Sequence, residues 1–326
     1  MNWLQSGHFN LNCDHDCPNS VMPHSGSGVC VSCWLGYGWR MTRLILPVFT
    51  GLLFISSCVT QVAETPKMPE SLSIPTGYAL VWADEFEQDG LPNEQNWAYD
   101  TEYNQAGWWN GELQYYSAAR TKNSRVENGR LIIEAHEEPV LAEQFPDTGD
   151  QAYTSTRLFT KDKAAWQYGY FEVRAKLPCG HGLWPAIWTL PEGQMRWPND
   201  GEIDIMEYVG WREDRFHATV HTRDNNHKLG THFGASYTAA TACGGFHTHS
   251  LLWTDEEILV AVDGMPYFHY PKGDKGYGEW PFDHPHYLIL NLAIGGWGGR
   301  EGIDPDAFPA QMEVDYVRIY QKRHGS

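Results

Sequence analysis

Three acidic residues lie close together in the stretch 201–208, which reads Gly-Glu-Ile-Asp-Ile-Met-Glu-Tyr. Side chains alternate between the two faces of a β-strand, so Glu202 and Asp204 share one face. Regular alternation would turn Glu207 to the opposite face. We therefore predict a β-bulge near residues 205–206 that returns Glu207 to the acidic face. The three carboxyl groups would then point into one cleft.

Carboxyl groups placed in this way are typical of glycosidic bond cleavage. A retaining glycosidase needs two carboxyl groups about 5–5.5 Å apart, one as nucleophile and one as acid and base. The strand between Glu202 and Glu207 is longer than this, but two glutamate side chains that lean together close the gap. Asp204 between them would hold a proton or a hydrogen bond and move their pKa values apart. The spacing alone fits a solvent-exposed acidic strand equally well.

The elements that must position these acids are short and numerous. Alternating apolar runs, separated by Gly, Pro, Asn and Asp, continue from Tyr78 to Tyr320, and Asp263-Gly264 has the composition of a hairpin turn. Because no long helical period interrupts them, we predict an all-β sandwich. The clearest runs are residues 78–82, 130–135, 168–175, 217–221, 258–262 and 314–320.

Composition restricts the class of partner. The chain has 326 residues and a formal net charge of −18, from 23 basic and 41 acidic residues. A nucleic-acid-binding protein needs lysine and arginine to neutralise phosphates, so we exclude that class. A neutral polymer is compatible with this charge. The 15 tryptophans are enough to fill a core and to leave some for stacking on sugar rings.

Several sequence blocks resemble glycoside hydrolase family 16, in particular the bacterial laminarinase-like endo-β-1,3-glucanases. They occur in the family's order and cover residues 76–322. The extra Met206 in Glu-Ile-Asp-Ile-Met-Glu resembles the bulged signature of laminarinases, which lichenases usually lack. The blocks are Trp-Ala-Asp-Glu-Phe at 82–86, Asn-Gly-Glu-Leu-Gln-Tyr-Tyr at 110–116, Gly-Tyr-Phe-Glu-Val-Arg-Ala-Lys-Leu-Pro at 169–178, Gly-Leu-Trp-Pro-Ala-Ile-Trp at 182–188, residues 201–210, Phe-His at 246–247 with Trp253, Asn-Leu-Ala-Ile-Gly-Gly at 291–296 and Val-Asp-Tyr-Val-Arg at 314–318.

The resemblance implies a β-jelly roll whose concave sheet carries the substrate cleft. It also implies retaining endo-hydrolysis of a laminarin-like β-1,3-glucan, with Glu202 as nucleophile, Glu207 as acid/base and Asp204 assisting by hydrogen bonding. No cofactor is implied for catalysis. Mixed-linkage β-glucan, agar and carrageenan stay open as substrates, as does exo rather than endo action. The rival from another class is a non-catalytic glucan-binding protein, but such proteins typically lack one or both catalytic glutamates.

Polar residues outside the acidic strand supply candidate substrate contacts. Asn110, Glu112 and Gln114 alternate and so share a strand face, which is either part of the cleft or a solvated edge. The resemblance places Asn110 and Glu112 near the non-reducing side of the cleft. Arg157 would orient a sugar hydroxyl or a catalytic carboxylate, or else lie on the surface. His221 resembles the family's histidine near the acid/base residue.

Tryptophans supply the candidate stacking surfaces. Trp184 and Trp188 share a strand face with Ala186 between them. As a pattern alone, core packing explains this pair better than a platform for sugar rings. The resemblance and the proximity of Glu202 favour the platform. Trp197 precedes the acidic strand, and we expect it to close the subsite beside the nucleophile.

The resemblance also implies a structural calcium ion on the convex side, bound by Glu85, Gly129 and Asp315. Oxygen ligands suit Ca²⁺. A backbone carbonyl from Gly129 leaves no spacing pattern, however. In the other interpretation, Glu85 and Asp315 are ordinary turn residues.

The N-terminal part has the features of an export segment. Two arginines and the apolar run 44–57 are typical of a signal peptide, and the run is too short for a comfortable membrane span. It ends in Ile-Ser-Ser-Cys, which resembles a bacterial lipoprotein box, although an incidental cysteine is the alternative. We expect a signal peptide at 41–57, a lipid on Cys58 and a linker at 58–75. The mature protein would be a monomeric lipoprotein of the cell envelope or outer membrane, or extracellular, that meets the membrane only through its lipid anchor.

Residues 1–40 precede this export segment. A metal-binding domain in that place would be topologically awkward, so we expect translated upstream sequence, with Met41 as the true start. The alternative is a zinc site, because the segment contains four cysteines at suitable spacing. They are Cys13, Cys17, Cys30 and Cys33.

Two further cysteines, Cys179 and Cys243, lie in the predicted catalytic domain, residues 76–322. Export permits a disulfide between them. The sequence does not show whether the two are near each other in space, so a bridge and two free thiols both stay open.

Overall fold

The computed structural model describes residues 68–323. The predictions for residues 1–40 and 41–57, for lipid attachment at Cys58 and for the first part of the linker at 58–75 lie outside the described residues. Within residues 68–323, no helix is both long enough and apolar enough to cross a membrane.

Strands make up nearly all of the regular structure. In the described part of the chain the helical elements are two short 3-10 segments, Asn104–Trp109 and Pro305–Ala307. The strands, numbered in chain order, are β1 (Tyr78–Asp84), β2 (Ala98–Tyr99), β3 (Gln114–Tyr116), β4 (Ser124–Val126), β5 (Leu131–Glu137), β6 (Tyr153–Ser155), β7 (Arg157–Phe159), β8 (Gly169–Lys176), β9 (Leu183–Pro191), β10 (Glu202–Tyr208), β11 (Arg215–His221), β12 (Phe233–Thr238), β13 (Phe246–Trp253), β14 (Glu257–Val262), β15 (Met265–Pro271), β16 (His286–Ile294) and β17 (Ala310–Lys322).

These strands form two sheets, which confirms the predicted all-β sandwich. The ten-stranded sheet has the order β15-β14-β13-β8-β17-β5-β6-β3, with β1 paired to β17 and β4 to β5. The seven-stranded sheet has the order β12-β11-β10-β9-β16-β7-β2, so the acidic strand β10 lies near its middle. Phe171 and Val173 of β8 share one buried cluster with Ile203 and Ile205 of β10, and this cluster is the core between the sheets.

Strand β10 contains the predicted bulge. Its pairing with β11 shifts register between Asp204 and Glu207, and its pairing with β9 shifts between Asp204 and Met206. Ile205 and Met206 are consecutive, yet both are fully buried in the core. The extra inward residue returns Glu207 to the face that carries Glu202 and Asp204.

The hairpin predicted at Asp263-Gly264 joins β14 to β15. The two residues have φ values of +49° and +76°, the left-handed conformation that a two-residue hairpin of this kind requires. Glycine reaches that conformation without a steric penalty, and aspartate tolerates it better than most residues.

A disulfide joins Cys179 and Cys243, with their Cα atoms 5.2 Å apart. Cys179 follows β8 and Cys243 precedes β13, and these two strands pair antiparallel. Their pairing brings the two connections together at one end of the sheet. The question that the sequence left open is therefore answered in favour of the bridge.

Candidate active site

The seven-stranded sheet carries a cleft of about 470 Å³ on the face away from the core. Strand β10 contributes Glu202, Asp204 and Glu207 to it, so the three predicted acids meet in one place. The other predicted contacts that line the cleft are Asn110, Glu112, Arg157, Trp184, Trp188 and Trp197. His221 reaches the site through its contacts with two of the acids.

Two tryptophan N–H groups hold the two glutamates. Trp197 Nε1 donates to Glu202 Oε2 at 3.0 Å, and Trp184 Nε1 donates to Glu207 Oε1 at 3.2 Å. A hydrogen bond of this kind favours the ionised carboxylate and fixes its orientation. The sequence predicted these indoles as stacking surfaces only, because the direction of an indole N–H leaves no pattern in the chain.

Burial dominates the electrostatics of the three acids. Burial, followed by repulsion from Glu207, raises the pKa of Glu202 to about 8. Burial also raises the pKa of Glu207 to about 7. Asp204 is 3% exposed, and burial together with both glutamates raises its pKa well above the ordinary range. The three groups therefore influence one another as they titrate, and burial favours the protonated form of Asp204.

This result differs from the expected separation of the glutamate pKa values. Asp204 does not leave one glutamate with a low pKa and the other with a high one, since both are raised. The reason is that burial acts on all three side chains alike. The different roles of Glu202 and Glu207 must then come from where each carboxyl group lies along the cleft.

His221 lies beside the predicted nucleophile and not beside the acid/base residue, which corrects the prediction. It pairs with Glu202 across β10 and β11, and its Nε2 is 3.7 Å from Glu202 Oε1 and 3.5 Å from Asp204 Oδ2. Burial, followed by the charges of His227 and His232, lowers the pKa of His221 to about 3. The imidazole is therefore neutral at physiological pH.

Glu112 belongs to a buried hydrogen-bond network at one side of the cleft. Its carboxylate accepts from Asn110 Nδ2 at 3.3 Å, Gln114 Nε2 at 2.7 Å and Tyr116 Oη at 3.1 Å. Asn291 Nδ2 in turn donates to Tyr116 Oη. The solvated-edge interpretation is wrong for Glu112 and Gln114, because both side chains are buried.

Arg157 is buried rather than on the surface. Its guanidinium carbon lies 4.4 Å from the ring centre of Trp108 and 4.7 Å from that of Trp188. Its Nε is 2.9 Å from Asp100 Oδ2. Although burial raises the pKa of Glu202, the positive charge of Arg157 acts in the opposite direction. Arg157 is thus held rigidly between two indoles at the edge of the cleft.

The residues that line the cleft but were missed by the sequence analysis include Tyr103, Trp109, His227 and Lys228. Trp109 is 68% exposed, has a φ of +55° and lies 4.5 Å from the ring of Tyr103. Lys228 Nζ is 4.5 Å from the ring centre of Trp197. All four lie outside the strands, where periodicity gives no prediction of side-chain direction.

Of the three residues predicted to bind calcium, Asp315 lies in β17 and Glu85 directly follows β1, and both of these have other partners. Arg318 Nε and Nη2 donate to the carboxylate of Glu85 at 2.8 and 2.9 Å. Arg174 Nη1 donates to Asp315 Oδ2 at 2.6 Å. Since guanidinium groups bind both carboxylates, these side chains do not fit a carboxylate ligand set for Ca²⁺. Gly129 lies in the turn between β4 and β5.

Comparisons with known proteins agree with this site. The model of the glycosyl hydrolases family 16 matches residues 111–318. A beta-glucanase of Rhodothermus marinus is 49% identical over 292 residues, covering 86% of this chain and 94% of the relative. The solved structure of SCLam, a non-specific endo-beta-1,3(4)-glucanase, has a TM-score of 0.75 and 54% identity, covering 78% of this chain and 95% of that chain.

The laminarinase of Rhodothermus marinus has a TM-score of 0.71 and 48% identity, covering 76% of this chain and 98% of that chain. A glutamate-to-serine variant of SCLam presents 1,3-beta-D-cellobiosyl-glucose at its active site. The family match and these structural likenesses confirm the predicted β-jelly roll.

Proposed function

The chain belongs to family 16 of the glycosyl hydrolases, and we propose that it hydrolyses β-1,3-glucan internally with retention of configuration. The observation that carries this proposal is the bulge in β10, which presents Glu202 and Glu207 to one cleft. Each carboxyl group also accepts an indole N–H. The activities named for the relatives, beta-glucanase and laminarinase, support the choice of substrate.

In the first step, the carboxylate of Glu202 attacks the anomeric carbon and forms an ester bond with the sugar. The glycosidic C–O bond breaks at the same time, and Glu207 passes its proton to the leaving oxygen. In the second step, the ionised Glu207 takes a proton from water. The water oxygen attacks the anomeric carbon and releases Glu202, so the configuration is retained.

Asp204 assists by hydrogen bonding. Burial and the two glutamates favour its protonated form, which offers a hydrogen-bond donor beside Glu202 and adds no negative charge next to the nucleophile. Trp197 supplies a second donor to Glu202, while Trp184 fixes the orientation of Glu207. These donors favour an ionised Glu202 against the effect of its burial.

The remaining cleft residues differ in whether their polar groups and ring faces are free to contact a sugar. Glu112 accepts hydrogen bonds from three protein donors, so its role is to orient the Asn110 amide. Trp188 uses its N–H on Asn291 and packs against Arg157, which leaves part of its ring surface for a glucose unit. His221 acts through Glu202 and Asp204.

A panel of polymers tests the substrate. Laminarin, mixed-linkage β-glucan, agarose and carrageenan are incubated with the protein, and reducing ends and product lengths are measured. The expected result is fast cleavage of laminarin to a ladder of oligosaccharides, which is the pattern of endo action. Cleavage of mixed-linkage glucan as well would match the non-specific activity named for SCLam. Cleavage of agarose alone would overturn the proposal.

A non-catalytic glucan-binding protein is the rival function. Both catalytic glutamates are present here, which argues against it. Tight binding of laminarin with no increase in reducing ends, in the same preparation, would favour the rival. The Glu202→Gln variant provides the reference for binding without hydrolysis.

The calcium ion predicted at Glu85, Gly129 and Asp315 would be structural, and no catalytic step uses it. Arginines bind both carboxylates, so backbone carbonyl oxygens would have to supply much of the coordination. Thermal unfolding measured with added CaCl₂ and with EDTA tests the prediction. A higher midpoint with calcium supports it, and equal midpoints contradict it.

Export as a monomeric lipoprotein is a separate proposal that concerns the N-terminal segment. Replacing Cys58 with Ser should abolish lipid labelling and release the protein from the membrane fraction. Expression from Met41 should give the same mature product as expression of the full chain. Light scattering of that product should give the mass of one chain.

A further inference from the structure

We propose that the catalytic centre also binds a transition-metal ion: Zn²⁺ held by Glu202, Asp204 and His221, which reversibly shuts off hydrolysis. One ligand atom from each of these three side chains lies within 4.8 Å of the other two. The binding of zinc follows from this geometry alone. Its effect on turnover rests on the proposed function.

Unpaired atoms at this cluster point to a missing partner. Asp204 Oδ2 is buried, has no hydrogen-bond partner among residues 68–323, and faces His221 Nε2 at 3.5 Å. His221 and Asp204 are 7% and 3% exposed, so neither is compensated by bulk water. A buried polar atom without a hydrogen-bond partner destabilises the folded protein. A cation between the carboxylates and the imidazole would satisfy this oxygen.

The mixture of donors selects the metal. Ca²⁺ and Mg²⁺ prefer sites made of oxygen only, whereas an imidazole nitrogen with carboxylate oxygens suits Zn²⁺. Three protein ligands leave the fourth tetrahedral position for water or a further donor. The ring of His227 lies 5.1 Å from that of His221 and lines the cleft, so it offers that further donor from the loop between β11 and β12.

Occupancy would block the reaction because the nucleophile is itself a ligand. Glu202 cannot attack an anomeric carbon while its carboxylate is bound to the ion. The ion also removes the proton-bearing role of Asp204. Since substrate and zinc need the same carboxylate, inhibition should be competitive with glucan and reversed by EDTA.

The test measures Zn²⁺ inhibition of laminarin hydrolysis by the full chain and zinc binding by calorimetry. His221→Gln and Asp204→Asn each remove one ligand, and thermal unfolding checks that both variants fold. The matched control is His136→Gln, which breaks a histidine–carboxylate contact of 3.2 Å with Glu134 on the other sheet. Cysteines of residues 1–40 also suit zinc, so binding is scored as the equivalent lost on substitution.

The expected result is an inhibition constant for zinc at least tenfold weaker in His221→Gln and Asp204→Asn, and unchanged in His136→Gln. Calorimetry should show one zinc equivalent lost in the two cleft variants only. Equal inhibition constants in all variants, or inhibition that does not compete with glucan, would overturn the inference. If zinc binds as expected but the protein cleaves no β-glucan, the proposed function fails and the metal site stands.

Discussion

Glu207 in the cleft and Glu313 on the opposite sheet are both glutamates in β-strands, yet the fold shifts their pKa values in opposite directions. Burial raises the pKa of Glu207 to about 7. Partial burial acts on Glu313 as well, but hydrogen bonds from Lys176 and Arg130, both at 2.9 Å, lower its pKa. The difference lies in the partners and not in the strand.

Glu313 is a carboxylate that stabilises the fold, whereas Glu207 is a carboxylate placed for catalysis. The imidazole of His221, which contacts Glu202 and Asp204, is neutral and therefore forms no ion pair with either acid. An acid without a permanent cation can gain and lose a proton near neutral pH, which general acid–base catalysis requires. A carboxylate held by lysine and arginine stays ionised and can only support the fold.

The largest effect is expected from substitution of the two catalytic glutamates. Replacing Glu207 with Gln removes the acid/base and should lower kcat by about 10²–10⁴-fold. Replacing Glu202 with Gln removes the nucleophile and should cost at least as much. The control is Glu313→Gln, which removes a carboxylate outside the cleft that is paired with Lys176 and Arg130, and it should leave kcat nearly unchanged. Initial rates on laminarin measure all three.

Rescue by azide provides a second test of Glu202 as the nucleophile. In a Glu202→Gly variant, azide should enter in place of the carboxylate and give a product of inverted configuration. Proton NMR of the first product of the unmodified enzyme should show retention. Inversion by the unmodified enzyme would contradict the two-step mechanism, and a Glu202→Gly variant with normal activity would exclude Glu202 as nucleophile.

The next effect concerns stability against pH. The folded pKa of Glu207, about 7, lies above its ordinary value of 4.5, so between these values the folded state holds a proton that the unfolded state has lost. The stabilisation of the protonated acid is therefore complete below 4.5 and lost as the pH rises through 7. The loss should be roughly 3 kcal/mol, because the pKa shift from 4.5 to about 7 corresponds to 1.36 kcal/mol for each unit.

Glu207→Gln is uncharged at every pH and should lose less stability over that window than the wild type does. Denaturant unfolding at pH 5 and pH 8 measures both proteins. Glu313→Gln should keep the wild-type slope between pH 5 and pH 8, because the folded pKa of Glu313 is lowered below 4.5 and its stabilisation is already complete above that pH. Identical pH slopes for wild type and Glu207→Gln would show that burial does not perturb this acid.

Local rules in the sequence predicted much of the fold and the acids of the site. The bulge followed from the break in alternation at Met206, and the hairpin followed from Asp263-Gly264. Both depend on a few consecutive residues and on backbone geometry alone. The family blocks then added the jelly roll, which strand patterns by themselves do not distinguish from other sandwiches.

Contacts between distant segments could not be predicted. Lys176 and Arg130 are 137 and 183 residues from Glu313, so no local pattern reveals that this acid is paired. The same limit applies to the bridge between Cys179 and Cys243, 64 residues apart. The partners that fix each carboxyl group's charge are set by the sheet order, and the sheet order is a tertiary property.

A smaller effect separates hydrogen bonding from stacking at the cleft tryptophans. Trp197→Phe keeps an aromatic ring but removes the N–H that Glu202 accepts. A hydrogen bond to a charged group contributes about 1.5–3 kcal/mol, so kcat should fall about tenfold or more. The matched variant is Trp188→Phe, whose lost N–H bonds the amide of Asn291 and not a carboxylate, and it should cost less.

The alanine variants sharpen this result. Stacking that buries about 60–80 Å² would contribute about 1.5–2 kcal/mol to binding of a laminari-oligosaccharide. If Trp197→Phe binds normally but turns over slowly, while Trp197→Ala also binds weakly, the indole does both tasks. If both variants bind and turn over like the wild type, neither task belongs to Trp197.

The smallest effect is expected from substitution of Glu85, a carboxylate that is ion-paired with Arg318. The side chains of Glu85 and Arg318 are 39% and 32% exposed, so water and salt screen their attraction. Exposed ion pairs contribute about 0–1 kcal/mol, and Glu85→Gln should therefore lower the free energy of unfolding by less than about 1 kcal/mol. Denaturant unfolding at low and high salt should show the difference shrinking as salt rises, with kcat unchanged throughout. A loss of several kcal/mol that does not change with salt concentration would mean that Glu85 is as strongly shielded from water as the cleft acids. Burial would then no longer distinguish the carboxylates of the cleft from those of the ten-stranded sheet.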